Sequence, residues 1–345
     1  MLAKILAALA MPVVVVTLVG AVLRLTDHTA LPPLKLPATP SAHAAAVSRS
    51  RVATPGQIHA CEGHMPSRFS GIAVQHSPAN TLDDYHKTFG TKPQIVEFYN
   101  AFRQPFRAGE AWQAIDKGLV PFIQLNPRGV SEKQIAKGTW DEHLRNYAAA
   151  LNAFGCTVIL SFGHEMNGWW YPWGRLPPPR SGTSPAEFIA AWKHIHDVFA
   201  NNGVNNVIWS WDPSHQYGQA GPGKIATAAG DWYPGPGYVD WIGLDGYLGY
   251  DRNGHAQNFG EIFGYQLRDI RRIAPGKPVF LAETGVSRGP ALASQVAELF
   301  SGVTAYHLTG LVWFDAKSSR HDYRLGFYKD VDGAYRQNLT GFVKK

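Results

Sequence analysis

Eight short apolar runs divide the chain after residue 70. They lie at 71–75 (Gly-Ile-Ala-Val-Gln), 94–99 (Gln-Ile-Val-Glu-Phe-Tyr), 119–124, 157–162, 206–211 (Asn-Val-Ile-Trp-Ser-Trp), 239–244, 278–282 and 310–314 (Gly-Leu-Val-Trp-Phe). Most are continuous rather than alternating, as strands buried on both faces require. Between several of them the apolar positions change to helical spacing. Residues 131–154 place Ile135, Leu144, Tyr147, Leu151 and Phe154 near one helical face. Residues 185–201 open on Ser184-Pro185, an N-cap followed by proline at the first helical position. Helices are also predicted at 259–273 and 290–302. Strands alternating with helices over about 275 residues predict one α/β domain, a (β/α)8 TIM barrel over 56–345. The stretch 212–238 is long and rich in Gly and Pro, which predicts a βα loop shaping a cleft rather than a regular helix.

The segment before the barrel has a different pattern. Lys4 precedes nineteen uncharged residues, 5–23, and Arg24 closes the run. Apolar cores of signal peptides run about 7–15 residues and membrane spans about 17–25. Residues 1–24 therefore read as a cleaved signal peptide or an uncleaved membrane anchor. Pro12 interrupts the run without excluding a span. Ala42-His43-Ala44 offers small residues for cleavage, but far from the apolar core. Residues 25–55, rich in Pro, Ala, Thr and Ser, read as a disordered linker. Either reading of the leader puts the barrel outside the cytoplasm, secreted or tethered to the membrane through the N-terminal segment alone.

Charge narrows the partners. The net charge is +6, but residues 1–55 carry five basic groups against Asp27, and the remainder holds 27 basic and 25 acidic residues. A nearly balanced domain has no electrostatic footprint for a phosphate backbone, so nucleic acid is excluded and a neutral polysaccharide fits better. A monomer is expected. Cys61 and Cys156 are the only cysteines. In an exported chain they form one disulfide or remain two thiols. No spacing suggests zinc or another metal, and no phosphate loop or dinucleotide fingerprint calls for a cofactor.

The chemistry concentrates after the fourth run, in Gly163-His164-Glu165-Met166-Asn167-Gly168-Trp169-Trp170-Tyr171-Pro172-Trp173-Gly174. A carboxylic acid at a strand end is followed within eight residues by an amide and four aromatic rings. Aromatic faces suit the C–H surface of a pyranose, and amides suit its hydroxyls. Cleaving a glycosidic bond normally takes two carboxyl groups, one giving a proton to the leaving oxygen and one attacking the sugar or activating water. Glu283 follows the run 278–282 at once, with Thr284-Gly285 expected to turn the chain. Glu165 and Glu283 are the predicted catalytic pair.

These residues resemble glycoside hydrolase family 26, through the His-Glu-Met-Asn-Gly box, the strand ending in Glu283, and the segment Trp232-Tyr233-Pro234-Gly235 to Asp245-Gly246-Tyr247. The similarity runs from about residue 70 to 345. It implies retaining endo-hydrolysis of a β-linked glycan. The family is best known for endo-β-1,4-mannanases and includes β-1,3-1,4-glucanases and β-1,3-xylanases. By resemblance, Glu165 is the acid/base, Glu283 the nucleophile, and His164 lines the subsite beside the cleavage point. Trp170 lies on the leaving-group side, Tyr247 hydrogen-bonds the nucleophile, and Trp313 lies beneath the bound sugar. Two departures weaken mannan as the substrate: Ser161-Phe162 stands where mannanases often have an Arg, and Pro236-Gly237 where they often have acidic residues.

Other readings compete. His164 can be a structural histidine. Only some of Trp169, Trp170, Tyr171 and Trp173 can face a substrate, and Trp170 is the choice. Trp209 and Trp211 share a parity and fit a barrel interior or a sugar platform. Asp212, Asp245 and Asp315 end strands as sugar ligands, ion-pair partners or helix caps. Gly285-Val286-Ser287-Arg288-Gly289 matches a serine-hydrolase elbow, with Asp315 and His321 following in order, although Ser287 lies five residues past Ala282. A non-catalytic, tethered glycan-binding protein would use the same cleft without cleaving.

Overall fold

The computed structural model describes residues 60–75, 78–174, 182–215, 228–251, 253–318 and 321–342. The chain divides into two units, Met1–Ser50 and Arg51–Lys345. The leader at 1–24 and the linker at 25–55 lie outside the described residues. Among the described residues no helix is long and apolar enough to cross a membrane.

Every predicted strand forms. In order they are β1 (Phe69–Ala73), β2 (Ile95–Ala101), β3 (Val120–Asn126), β4 (Val158–Phe162), β5 (Val207–Trp211), β6 (Trp241–Gly243), β7 (Gly246–Leu248), β8 (Val279–Val286) and β9 (Gly310–Phe314). All pairings between them are parallel. The order β6-β5-β4-β3-β2-β1-β9-β8 closes through a β6–β8 pairing. The sixth barrel position is shared: β6 pairs with the start of β8 and β7 with its end. The result is a closed (β/α)8 TIM barrel of eight positions.

The helices are α1 (Pro78–Phe89), α2 (Ala108–Asp116), α3 (Glu132–Ala136), α4 (Asp141–Phe154), α5 (Pro185–Asn201), α6 (Phe259–Ile273), α7 (Leu292–Ala305) and α8 (Lys329–Phe342). The single helix predicted over 131–154 is two. Gly138 between them takes a left-handed φ of 79°, which ends a helical path. The helices α5 and α6 begin in capping boxes, Ser184 with Glu187 and Asn258 with Glu261. The described part of 212–238 holds a short 3-10 turn, Ala229–Trp232, and no α-helix. Cys61 and Cys156 form a disulfide. With the Thr157 N–H donating to the Cys61 carbonyl at 2.8 Å, it ties the 60–63 turn to the start of β4.

Alternation along the strands sorts side chains into two layers. Val96, Phe98, Ile123, Leu125, Leu160, Phe162, Ile242, Leu311 and Trp313 join the large core with the helices. Phe69, Ala73, Ile95, Val120, Phe122, Ile159, Phe280, Ala282 and Val312 form a second cluster, which fills the barrel's interior. Continuing the inward parity toward the C-terminal ends of the strands leads to polar residues.

Candidate active site

The inward positions above the apolar plug are Glu97 on β2, Gln124 on β3, Ser161 on β4, Ser210 and Asp212 at the end of β5, and Asp245 between β6 and β7. All are buried. They are braced mostly against one another. Gln124 Nε2 donates to Asp212 Oδ2 at 3.0 Å, and Ser210 Oγ to Asp212 Oδ1 at 2.5 Å. Gly243 leaves room for this: a Cβ there would meet the Asp212 carboxylate. Glu97 is buried, which raises its pKa, and the Gln124 side chain beside it pulls the pKa down against that larger effect.

Glu283 sits above this layer. It does not end its strand. β8 continues to Val286, and Thr284 and Gly285 pair with Gly246 and Tyr247 instead of turning the chain. The register against β9 slips here, with Leu281 opposite Leu311 and Thr284 opposite Trp313. An extra residue on one strand re-aims side chains, and Glu283 lies in that slip. Its N–H donates to Asp245 Oδ1 at 2.9 Å. The Tyr247 hydroxyl donates to its Oε2 at 2.8 Å, and the Tyr99 hydroxyl to its Oε1 at 2.6 Å.

Glu165 comes from the loop after β4. Gly163 has φ of 59° and Glu165 φ of 54°, the latter one of two non-glycine residues with positive φ among those described. Such a backbone is strained for a glutamate and persists only where its surroundings hold it. Here the Glu165 N–H donates to the Asp212 carbonyl at 2.7 Å. Asn167 fastens the same loop through two bonds to Ser214, its Oδ1 accepting the N–H at 2.8 Å and its Nδ2 reaching the carbonyl at 3.0 Å. Trp170 Nε1 donates to Glu165 Oε2 at 2.5 Å. His164 Nδ1 lies 3.0 Å from Asn126 Oδ1, and its Nε2 lies 3.9 Å from Glu283 Oε1.

The two glutamates are electrostatically linked. Glu165 keeps part of its surface open, yet removal from water is the largest effect on it. That effect, with the negative charge of Glu283 second, pushes its pKa up to about 8 against the pull of the Trp170 N–H. Glu283 is also raised by burial, but the Tyr99 and Tyr247 hydroxyls pull it back. Asp245 and Glu97 are held well above the usual carboxylate range, first by burial and then by the charge of Glu283. Burial lowers His164 to about 3, so its ring is neutral. The arrangement can therefore hold a proton on Glu165 at neutral pH beside a carboxylate stabilised by hydroxyl donors.

The structure brings Glu165, Glu283, His164, Trp170 and Tyr247 together. It does not bring Trp313. That ring was expected as a floor for the sugar, but its parity is outward. It is fully buried in the helix-facing core, 5.1 Å from the Tyr335 ring of α8, with its N–H donating to the Tyr323 carbonyl at 2.8 Å. The same parity sends Trp209 and Trp211 outward, against Trp192 and Tyr233 respectively, so they are neither interior nor platform. Trp173 is buried, stacked on Tyr171 at 4.4 Å. Asp212 and Asp245 act as internal brackets with no exposed surface. Ser287 has ordinary backbone rather than an elbow, and its hydroxyl pairs with Tyr323. Tyr99, Asn126 and Glu97 were not foreseen. The available signal was polar residues at one parity on neighbouring strands, Glu97 and Tyr99 beside Gln124 and Asn126.

Comparison with known proteins agrees with this geometry. The family model described as Glycosyl hydrolase family 26 matches residues 95–283. Endoglucanase H of Acetivibrio thermocellus is 28% identical over 289 residues, covering 82% of this chain and 30% of its own length. Mannan endo-1,4-beta-mannosidase A and B of Caldalkalibacillus mannanilyticus is 26% identical over 214 residues, covering 57% of this chain and 37% of its own. The chain thus spans about a third of the length of these relatives. The solved modular endo-beta-1,4-mannanase of Cellulomonas fimi superposes with a TM-score of 0.59 at 17% identity, over 85% of this chain and 75% of that one. At that identity the likeness speaks for the barrel alone.

Proposed function

The chain belongs to glycosyl hydrolase family 26, and from that premise we propose that it is a retaining endo-glycosidase acting on a β-linked polysaccharide, with β-1,4-mannan as the substrate. The observation that carries the reading is the pairing of Glu165, pushed up to about 8, with Glu283, whose two oxygens each accept a tyrosine hydroxyl. Separated protonation behaviour of two carboxyls is the requirement for double displacement.

In the first step an oxygen of Glu283 forms a bond to the anomeric carbon while the glycosidic C–O bond breaks. Glu165 gives its proton to the departing oxygen. Esterification removes the negative charge of Glu283, and with it one of the two causes that raise Glu165. Glu165 then takes a proton from water, whose oxygen attacks the anomeric carbon and frees Glu283. His164, neutral and buried, accepts or relays hydrogen bonds with sugar hydroxyls rather than shuttling charge. Tyr247 orients Glu283. Trp170 positions Glu165 and offers ring surface on the leaving-group side.

A second reading concerns the sugar alone. One relative, matched over 82% of this chain, is named an endoglucanase, which supports a mixed-linkage β-glucan in place of mannan. The barrel is proposed to work outside the cytoplasm, since the Cys61–Cys156 disulfide suits an oxidising compartment. The test is hydrolysis of galactomannan, glucomannan, mixed-linkage glucan and β-1,3-xylan, following reducing ends and the first-formed anomer by NMR. Mannan cleavage with retained configuration supports the proposal; an inverted anomer refutes double displacement, and new reducing ends from glucan alone favour the second reading.

A further inference from the structure

Glu283 sits among acids. Glu97, Asp212 and Asp245 are buried close enough for their charges to act within one cluster. Among the described residues no lysine or arginine forms an ion pair with Glu283. His164 brings no compensating proton. Its Nδ1 faces an amide oxygen, Asn126 Oδ1 at 3.0 Å, which only accepts, so Nδ1 carries the hydrogen and the neutral ring presents a bare lone pair at Nε2. That lone pair lies 3.9 Å from Glu283 Oε1, beyond hydrogen-bond reach. Among the described residues the donor to Oε1 is therefore the Tyr99 hydroxyl at 2.6 Å, opposite Tyr247 on Oε2.

We propose, on the double-displacement reading above, that Tyr99 is a positioning residue for Glu283, clamping Oε1 while Tyr247 clamps Oε2. Two donors from strands β2 and β7 set the plane of the carboxylate. Each leaves its oxygen a further lone pair, so the attacking direction stays open. Placement supports the role. Tyr99 is inward on β2, one inward step above Glu97, and its ring lies 6.0 Å from His164. A donor to the charged form also holds the carboxyl ionised, which offsets the neighbouring acids.

The test is Tyr99→Phe in the full chain, which keeps the ring and removes the hydroxyl. Uniformly 13C-glutamate-labelled protein reports the Glu283 carboxyl resonance, assigned with Glu283→Gln. Its titration midpoint should rise by about one pH unit in Tyr99→Phe, and Tyr247→Phe should move it in the same direction. With whichever glycan of the panel is hydrolysed, the acidic limb of kcat/KM should rise by the same amount. The alkaline limb should stay in place, and kcat should fall about tenfold with KM nearly constant. A midpoint equal to wild type overturns the proposal even if the enzyme is active. A wild-type chain that releases no reducing ends from any glycan refutes the functional reading, while the NMR titration still decides the role of Tyr99.

Discussion

The lower and upper halves of the barrel interior use the same strands and the same alternation, yet they are chemically opposite. Below, Phe69, Val120, Phe122, Ile159, Phe280 and Val312 form a plug free of polar side chains. Above, Glu97, Gln124, Ser161, Asp212, Asp245 and Glu283 are buried polar side chains. The lower half gains stability from apolar burial. The upper half gives stability up: carboxyls taken out of water beside one another, and Glu165 at a strained φ. The plug supplies the rigidity that lets the acidic layer exist, and the acidic layer holds the carboxyls to which the proposed chemistry is assigned.

The largest effect is expected at Glu283. Glu283→Gln should lower kcat by about 10^4-fold or more, while the melting temperature at pH 7 should not fall, because a neutral amide relieves the charge cluster. Measured activity above about one per cent of wild type would contradict the role given to this carboxyl.

Next is Phe122→Ala in the plug. It should cost about 3–5 kcal/mol of unfolding free energy, read from urea denaturation, with kcat of the folded fraction near wild type at low temperature. An activity loss comparable to that of Glu283→Gln would erase the division of labour.

The pH profile tests the electrostatics of the upper half. Glu165 must carry its proton to act as acid, so kcat/KM should fall as pH rises through about 8. Glu165→Gln, assayed with a substrate whose leaving group needs no protonation, should lose that alkaline limb. A limb unchanged in the variant assigns it to another group.

The smallest effect is expected at Glu97. Its folded-state pKa lies above the unfolded one, so the folded chain binds more protons over that interval and stability falls as pH rises through it. Glu97→Gln removes this liability. Its melting temperature should exceed wild type at pH 7 and converge with it toward pH 4, with activity within about threefold. Destabilisation at pH 7 would show that Glu97 is ionised and partnered in the native state.

Much of the architecture was legible because it is local. Apolar runs marked eight of the nine strands, missing only the short β7 (Gly246–Leu248), and Ser184-Pro185 marked the start of α5. Two local features were still misjudged. Gly138 divides 131–154 into two helices, and β8 passes through Glu283 to Val286, because an irregular pairing with β9 re-aims that residue without ending the strand.

From the amino-acid order alone came the barrel and the two candidate glutamates, since hydrophobic period, strand length and a dense motif are properties of short segments. The closed sheet decided the rest. A strand apolar on both faces does not reveal which parity points inward, so Trp313, Trp209 and Trp211 could be assigned to the helix-facing layer only once the ring of strands closed. Tyr99 met Glu283 for the same reason: 184 positions separate them, and only the assembled parallel sheet sets β2 and β8 three strand positions apart, with β1 and β9 between them.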